Sequence, residues 1–269
     1  MSLRINTNVE AFNAHRQLSG TSEKLGKAME RLSSGYRINR AADDAAGLAI
    51  TEKLRGQIGG LEQAQRNAQD AISLVQTAEG NLQEVHSMLQ RVRELAVQYK
   101  NGALSTTDRM AIQSEVNMLA SEVERIGASA QFNGILLLSA PAKITFQVGA
   151  ADGEVITVST ISLGQGVPTT AFQLTVAGAT DIGEIDAAID AVSAQRAQFG
   201  AVQNRLEHTL SNLAVYNENL MASESRIRDV DMAAEMVNFT KLQILQQSGT
   251  AMLAQANQTP QSVLQLLQG

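Results

Sequence analysis

From Leu54 onward, apolar residues return every three or four positions over more than forty residues. The series is Leu54, Ile58, Leu61, Ala68, Ile72, Val75, Ala78, Leu82, Val85, Leu89, Val92 and Ala96, with a gap at Gln65. A mean step of three and a half residues keeps one stripe of a helix facing a partner helix. No proline interrupts residues 44 to 100. At ~1.5 Å per residue such a helix would be on the order of 80 Å long, well beyond the ~10–14 residues of an ordinary globular helix. A stripe of that length requires a long bundle or coiled coil.

The rest of the chain supplies its partners. "NGALSTTDRM" offers a turn with Ser105 and Thr107 as candidate N-caps, and a second helix follows with Ile112, Val116, Leu119, Val123 and Ile126 on one seam. Asn133-Gly134 in "QFNGILLLS" is a turn signal. "KITFQVGAADGEVITVST" alternates as two strands joined across "AADG", and "TAFQLTVAG" reads as a third. Helix resumes at "TDIGEIDAAI", where Asp181 and Glu184 have capping-box spacing. The seam then runs through Ile185, Ile189, Val192, Phe199, Val202, Leu206, Leu210, Leu213 and Leu220. The expected fold is therefore mainly α: two long helices paired antiparallel, a shorter one, and a small β-hairpin region at about 140–180.

The ends have a different texture. Leu18, Leu25 and Leu32 recur at intervals of seven, with Met29 between, and Ile227, Val230, Ala234, Val237 and Ile244 mark apolar positions near the other end. In "LQILQQSGTAMLAQANQTPQSVLQLLQG" the polar positions are mostly Gln, where a solvated helix face normally carries charge. Both ends read as amphipathic strips that need partners.

Composition removes several function classes. The chain has no cysteine, which excludes disulfides, thiolate catalysis and zinc-thiolate sites. Net charge is -6 and no long basic stripe occurs, so no nucleic-acid role is expected. Aromatic residues are 3% with no Trp, against the ring-lined pockets of many enzymes. "MSLRINTNVEAFNAHRQLSG" lacks the pattern of a cleaved signal peptide. No apolar run approaches the ~18–20 residues of a membrane span, so no membrane role is expected either. His15, His86 and His208 are isolated, no metal-ligand spacing occurs, and the Gly-x-Gly of "SLGQGVPTT" reads as a loop. No catalytic, cofactor or metal residues are expected. Gln65, Glu79, Arg196 and Asn217 interrupt the seams and read as devices that set register.

Two stretches are denser in information. In "ERLSSGYRINRAADDAAGLAI", Arg40 stands three and four residues before Asp43 and Asp44, the spacing of ion pairs on a helix surface. Gly35 suits a helix C-cap, and either aspartate suits the start of the long helix. With no third positioned group, the acids read as a structural elbow and not a catalytic pair. "LQRVRELAVQYKNG" mixes Arg91, Arg93 and Glu94 with Leu89, Leu95 and Val97 on an expected outer face.

"INTNVEAFNAHRQL", "ERLSSGYRINRAADDAAGLAI", "LQRVRELAVQ", "QFNG" and "LAQANQTPQSVLQLL" together resemble the terminal signatures of bacterial flagellins, in the same order, across roughly residues 1–139 and 183–269. The resemblance implies a short flagellin without large outer domains, a non-enzymatic extracellular subunit that polymerises into a helical filament for motility. It implies paired terminal helices, 1–43 and 226–269, as the inner filament core, and 44–225 as an outer helical bundle. Arg37, Arg40, Asp43 and Asp44 would then serve the inter-domain link and subunit contacts. Arg91, Leu95 and Glu115 match the surface that Toll-like receptor 5 recognises, and Leu264, Leu266 and Leu267 resemble leucines read by NAIP-type sensors. An export chaperone, filament cap and junction proteins are implied as partners, with export lacking a cleaved signal. The alternative within the same physics is a hook–filament junction or other axial component. An enzyme or metal-binding bundle would need inward carboxylate or His pairs such as Glu-x-x-His on facing helices, which this sequence lacks.

Overall fold

A computed structural model of the chain describes residues 8–160, 162–163 and 181–268, without the side chains of 181 and 260–268. In chain order it contains α1 (Val9–Ser34), α2 (Ala45–Tyr99), α3 (Thr106–Ser129), β1 (Gln131–Phe132), β2 (Ile135–Leu136), β3 (Lys143–Gln147), β4 (Val155–Ser159), α4 (Asp181–Arg228) and α5 (Met232–Gln268). The fold is mainly α with two small antiparallel hairpins. The strand expected at 170–178 lies outside the described residues, as does the Asp181 side chain on which the expected capping box rests. The chain divides into a terminal unit, Met1–Gly56 with Asn219–Gly269, and a central unit, Gln57–Glu218.

In the central unit the seam of α2 is more regular than the large apolar residues suggest. Leu61, Ala64, Ala68, Ala71, Val75, Ala78, Leu82, Val85, Leu89, Val92 and Ala96 are all buried, in alternating steps of three and four. There is no gap at Gln65, because Ala64 fills the position. Likewise Ala71 takes the place that Ile72 was expected to hold, and Gln65 and Ile72 are half-buried beside the seam. The alanines have a purpose. Ala68 and Ala71 share a cluster with Val148, Ile156 and Leu206, so the β3–β4 hairpin lies against a stretch of helix whose small side chains permit close approach.

On α4 the buried stripe is Ile185, Ala188, Val192, Gln195, Phe199, Leu206 and Leu213. Gln195 is the polar member, and its Nε2 donates to the Ser159 carbonyl at 2.9 Å, tying the helix to the end of β4. Arg196 and Glu79, read above as separate interruptions of two seams, meet at 3.6 Å. Arg93 and Asp186 pair at 2.6 Å. In these pairs numbering rises on α2 as it falls on α4, which makes the helices antiparallel. Such half-exposed pairs contribute ~0–1 kcal/mol each, so they select register while the apolar seam holds the bundle.

α3 starts on Ser105, whose hydroxyl accepts from the Asp108 amide while the Asp108 carboxylate accepts from the Ser105 amide, a complete capping box. Its Ile112, Val116, Val123 and Ile126 join the α2 and α4 seams in one core with Leu137, Leu138 and Val158. Asn133 and Gly134 both have positive φ, 48° and 78°, the two left-handed positions of a type I′ hairpin turn. They join β1 to β2, with Phe132 opposite Ile135. β3 and β4 pair from Lys143↔Ser159 to Gln147↔Val155, and the expected "AADG" lies in their connection.

In the terminal unit α1 and α5 run antiparallel. Asn8 caps α1 by accepting from the Ala11 amide at 3.0 Å, and its side-chain amide donates to the Ala256 carbonyl at 2.7 Å. The Cα of Gly249 faces Leu18. The inward face of α5 carries Phe239, Leu242, Gln246, Gly249, Leu253 and Ala256, of which only Leu242 is fully covered. Val237 and Ile244 belong to a different face and are 70% and 63% exposed. α5 thus carries two apolar faces, and one helix to cover them.

Candidate functional site

The elbow between α1 and α2 is built from backbone hydrogen bonds more than from ion pairs. Gly35 ends α1 in the left-handed conformation, φ 76°, with its amide donating to the Arg31 carbonyl, which is the reason for glycine at that position. The expected helix-surface pairing of Arg40 with Asp43 and Asp44 does not form, because residues 36–44 are not helical. Instead Asp43 Oδ2 accepts from the backbone amides of Arg40 at 3.0 Å and Asn39 at 3.2 Å. The Arg40 amide, with the Asn39 amide and the positive charge of Arg31 and Lys27, holds the Asp43 carboxyl below its ordinary range, although partial burial opposes this. Asp44 Oδ1 accepts from the Gly47 amide at 2.9 Å and caps α2. The Arg40 guanidinium goes back to Glu30 at 2.9 Å.

A second strand of chain is strapped to this elbow. Tyr36 and Asp229 form an antiparallel bridge, with the Arg37 amide donating to the Arg228 carbonyl and the Val230 amide to the Gly35 carbonyl. Arg37 Nη2 donates to the Ile227 carbonyl at 2.6 Å. Arg228 stacks over the Tyr36 ring at 4.6 Å and reaches Glu52 at 3.2 Å. Asp231 then caps α5, accepting from the Ala233 and Ala234 amides. Ile38 is buried, with its Cδ1 against Gly47 in the first turn of α2. All four sequence-predicted elbow residues are therefore present in one clamp. Tyr36, Ile38, Arg228 and Asp231 complete it and were not expected; of these only Asp231, an Asp directly before "MAAEMV", carried a local N-cap signal.

Along α1 and α5 the terminal unit exposes much apolar surface. Phe12 on α1 is 72% exposed, and Val9, Met29, Met236, Leu245 and Met252 are about half-exposed or more. A groove between α1 and α5 has an apolar part at Leu18, Leu245 and Met252 among polar residues such as Asn13, Gln17 and Gln255. In the central unit Arg91 and Glu115 join α2 to α3 at 3.0 Å on the surface, and Glu94 completes the cluster. The hydrogen bond to Glu115, then that to Glu94, raises the affinity of Arg91 for its proton. Leu95 is not on that outer face. It is 2% exposed, because α2 here packs against both α3 and α4 and its buried arc widens to include Val92, Leu95 and Ala96. Leu89 points inward as a member of the regular α2 seam. Leu264, Leu266 and Leu267 lie on α5, with side chains outside the described residues. Among the described residues no group of three or more His, Cys, Asp or Glu is placed to hold a metal, and no helix is long and apolar enough to cross a membrane.

Comparison with known proteins meets this geometry at both ends. The model of the bacterial flagellin N-terminal helical region matches residues 5–143, and that of the C-terminal helical region matches residues 182–267. The chain belongs to the bacterial flagellins. It is 53% identical over 271 residues to a flagellin of Halalkalibacterium halodurans, covering 98% of this chain and 99% of that one. A flagellar filament 33 kDa core protein of Treponema phagedenis is 49% identical over 283 residues, with 98% and 99% covered. The crystal structure of Bacillus cereus flagellin superposes with a TM-score of 0.51 at 33% identity, over 55% of this chain and 88% of that one. As a flagellin the chain is a structural subunit of the flagellar filament, and the elbow and exposed helix faces are the features by which to ask how it assembles.

Proposed function

We propose that copies of this chain polymerise by covering the outer apolar faces of α1 and α5. In this reading residues 1–43 and 226–269 form the inner core of the filament and 44–225 the outer bundle. The clamp of Arg37, Arg40, Asp43 and Asp44 fixes the chain's path from one to the other. The observation that carries the reading is the second face of α5. Val237 and Ile244 are 70% and 63% exposed while the inward face already rests on α1, and Leu245 and Met252 at the edge of the α1–α5 groove remain exposed as well. Fully covering one such side chain contributes about 1.5–3 kcal/mol, and a head-to-tail contact that does not close yields a fibre. An export chaperone, the filament cap and junction proteins are the partners on the way to the filament. Deleting residues 241–269 tests the reading. The shortened chain should keep the central unit's helical signal and melting yet give no filaments when seeded, under electron microscopy. Normal filaments would overturn it.

The free subunit would also be visible to host sensors. Toll-like receptor 5 would read the surface around Arg91 and Glu115, with Leu95 holding that stretch of α2 in place from inside. NAIP-type sensors would read Leu264, Leu266 and Leu267. The exposed ion pair between Arg91 and Glu115 supports the first of these.

A further inference from the structure

The apolar surface of the terminal unit is unusually rich in one chemically reactive residue. Met29, Met221, Met232, Met236 and Met252 are all exposed, between 47% and 65%. The chain spends methionine on its surface: Met110 and Met118 are exposed as well, and Met88 alone among the described methionines packs against the core. A Leu or Ile in the same places would offer equal apolar area and no chemistry. A thioether is as apolar until it is oxidised, and then it becomes a polar sulfoxide.

We infer that Met29, Met232, Met236 and Met252 are separate positions on α1 and α5 at which reversible oxidation controls polymerisation. The inference rests on the proposal that the exposed surfaces of α1 and α5, the open groove between them included, are covered by other copies. The oxidant is a peroxide. A sulfur lone pair attacks one peroxide oxygen, the O–O bond breaks and an S–O bond forms. Sulfur is oxidised by two electrons, the peroxide is reduced, and with hydrogen peroxide the second oxygen leaves as water. Met232 and Met236 are one turn apart on α5, and Met252 lines the groove against Leu18 and Leu245. Sulfoxides there present strong hydrogen-bond acceptors to a surface that must be desolvated, and burying a polar group without a partner opposes association. Methionine sulfoxide reductases reverse the change, so the block is a switch and not damage.

The test uses the full chain. Free subunits are treated with hydrogen peroxide, sulfoxides are assigned by peptide mass spectrometry, and seeded growth is measured by sedimentation and electron microscopy. Sulfoxide is expected at the four positions before Met88. Filament yield should fall by about tenfold or more, and recover after treatment with both sulfoxide reductases. A chain with M29L, M232L, M236L and M252L should show no further fall on peroxide, whatever its own untreated yield. Treated wild-type chain that carries the four sulfoxides and polymerises like untreated chain overturns the inference. So does an equal peroxide-induced fall in the four-Leu chain. Failure of the untreated wild type to polymerise would instead overturn the assembly proposal itself, and the oxidation switch with it.

Discussion

Gly47→Ala and Gly59→Ala add the same methyl group to the same helix and are expected to move stability in opposite directions. At position 59 the new Cβ meets nothing within 4 Å, so the change retains the advantage of Ala over Gly in a helix, roughly 0.8–1 kcal/mol. At position 47 it falls 2.5 Å from Asp44 Oδ2 and 2.7 Å from Ile38 Cδ1. Asp44 must then leave the amide it caps, a loss of about 0.5–2 kcal/mol. Ile38, buried inside the clamp, must shift at the cost of overpacking, about 1–3 kcal/mol. Against a helix gain of about 1 kcal/mol, the net loss at Gly47 is roughly 0.5–4 kcal/mol. The assay is thermal unfolding of the full chain by circular dichroism, at a concentration too low for polymerisation. For domains of 60–250 residues each kcal/mol moves the midpoint by roughly 2–8 °C. Gly59→Ala should therefore melt higher than the parent and Gly47→Ala lower. A Gly47→Ala chain as stable as the parent would refute the reasoning about the elbow.

Leu89→Ala removes a fully buried side chain from the central seam and should cost about 2–5 kcal/mol; an unchanged melting midpoint would contradict the seam. Acid should weaken the elbow and the start of α3. The folded-state pKa values of Asp43 and Asp108 are lowered, by the Arg40 amide and the Ser105 hydroxyl respectively. Their contribution is therefore full above the unfolded carboxyl value of about 3.9 and is lost as pH falls through the folded values. Asp43→Asn and Asp108→Asn should flatten the fall in stability below that pH, as followed by melting across an acid series. Arg91→Ala and Glu115→Ala, on exposed side chains, should lower Toll-like receptor 5 signalling in reporter cells with little change in melting. Equal signalling from the double variant and the parent would remove that surface from the account.

The sequence showed most where structure depends on local periodicity. The α2 stripe, the α3 cap at Ser105, the Asn133-Gly134 turn and the β3–β4 hairpin follow from neighbours a few residues apart. Ala64 and Ala71 were overlooked because small residues contribute weakly to an apolar pattern, yet the hairpin packed on the helix meets a small one at Ala71. The clamp was half legible. Its glycine cap and acidic residues signal a break between helices, but nothing near Tyr36 announces Arg228 or Asp229, which come from the far end of the chain. The mistake at Leu95 has a different origin. Its position relative to Arg91 implies a shared face for a helix with one partner, and α2 has two partners at that level. Val237 and Ile244, read as part of an amphipathic strip that needs partners, are left in water by the single chain.

That exposure leads to the central claim, that the outer face of α5 exists to be covered by other copies. The direct measurement is sedimentation and electron microscopy of seeded Val237→Asn/Ile244→Asn chain beside its parent, with melting of both as free subunits. Because both side chains are exposed in the single chain, their exchange should move the melting midpoint little, in keeping with ~0.5 kcal/mol or less for surface substitutions. Filament growth should be lost. Filaments growing from the double variant at the parent's rate and yield would contradict the claim.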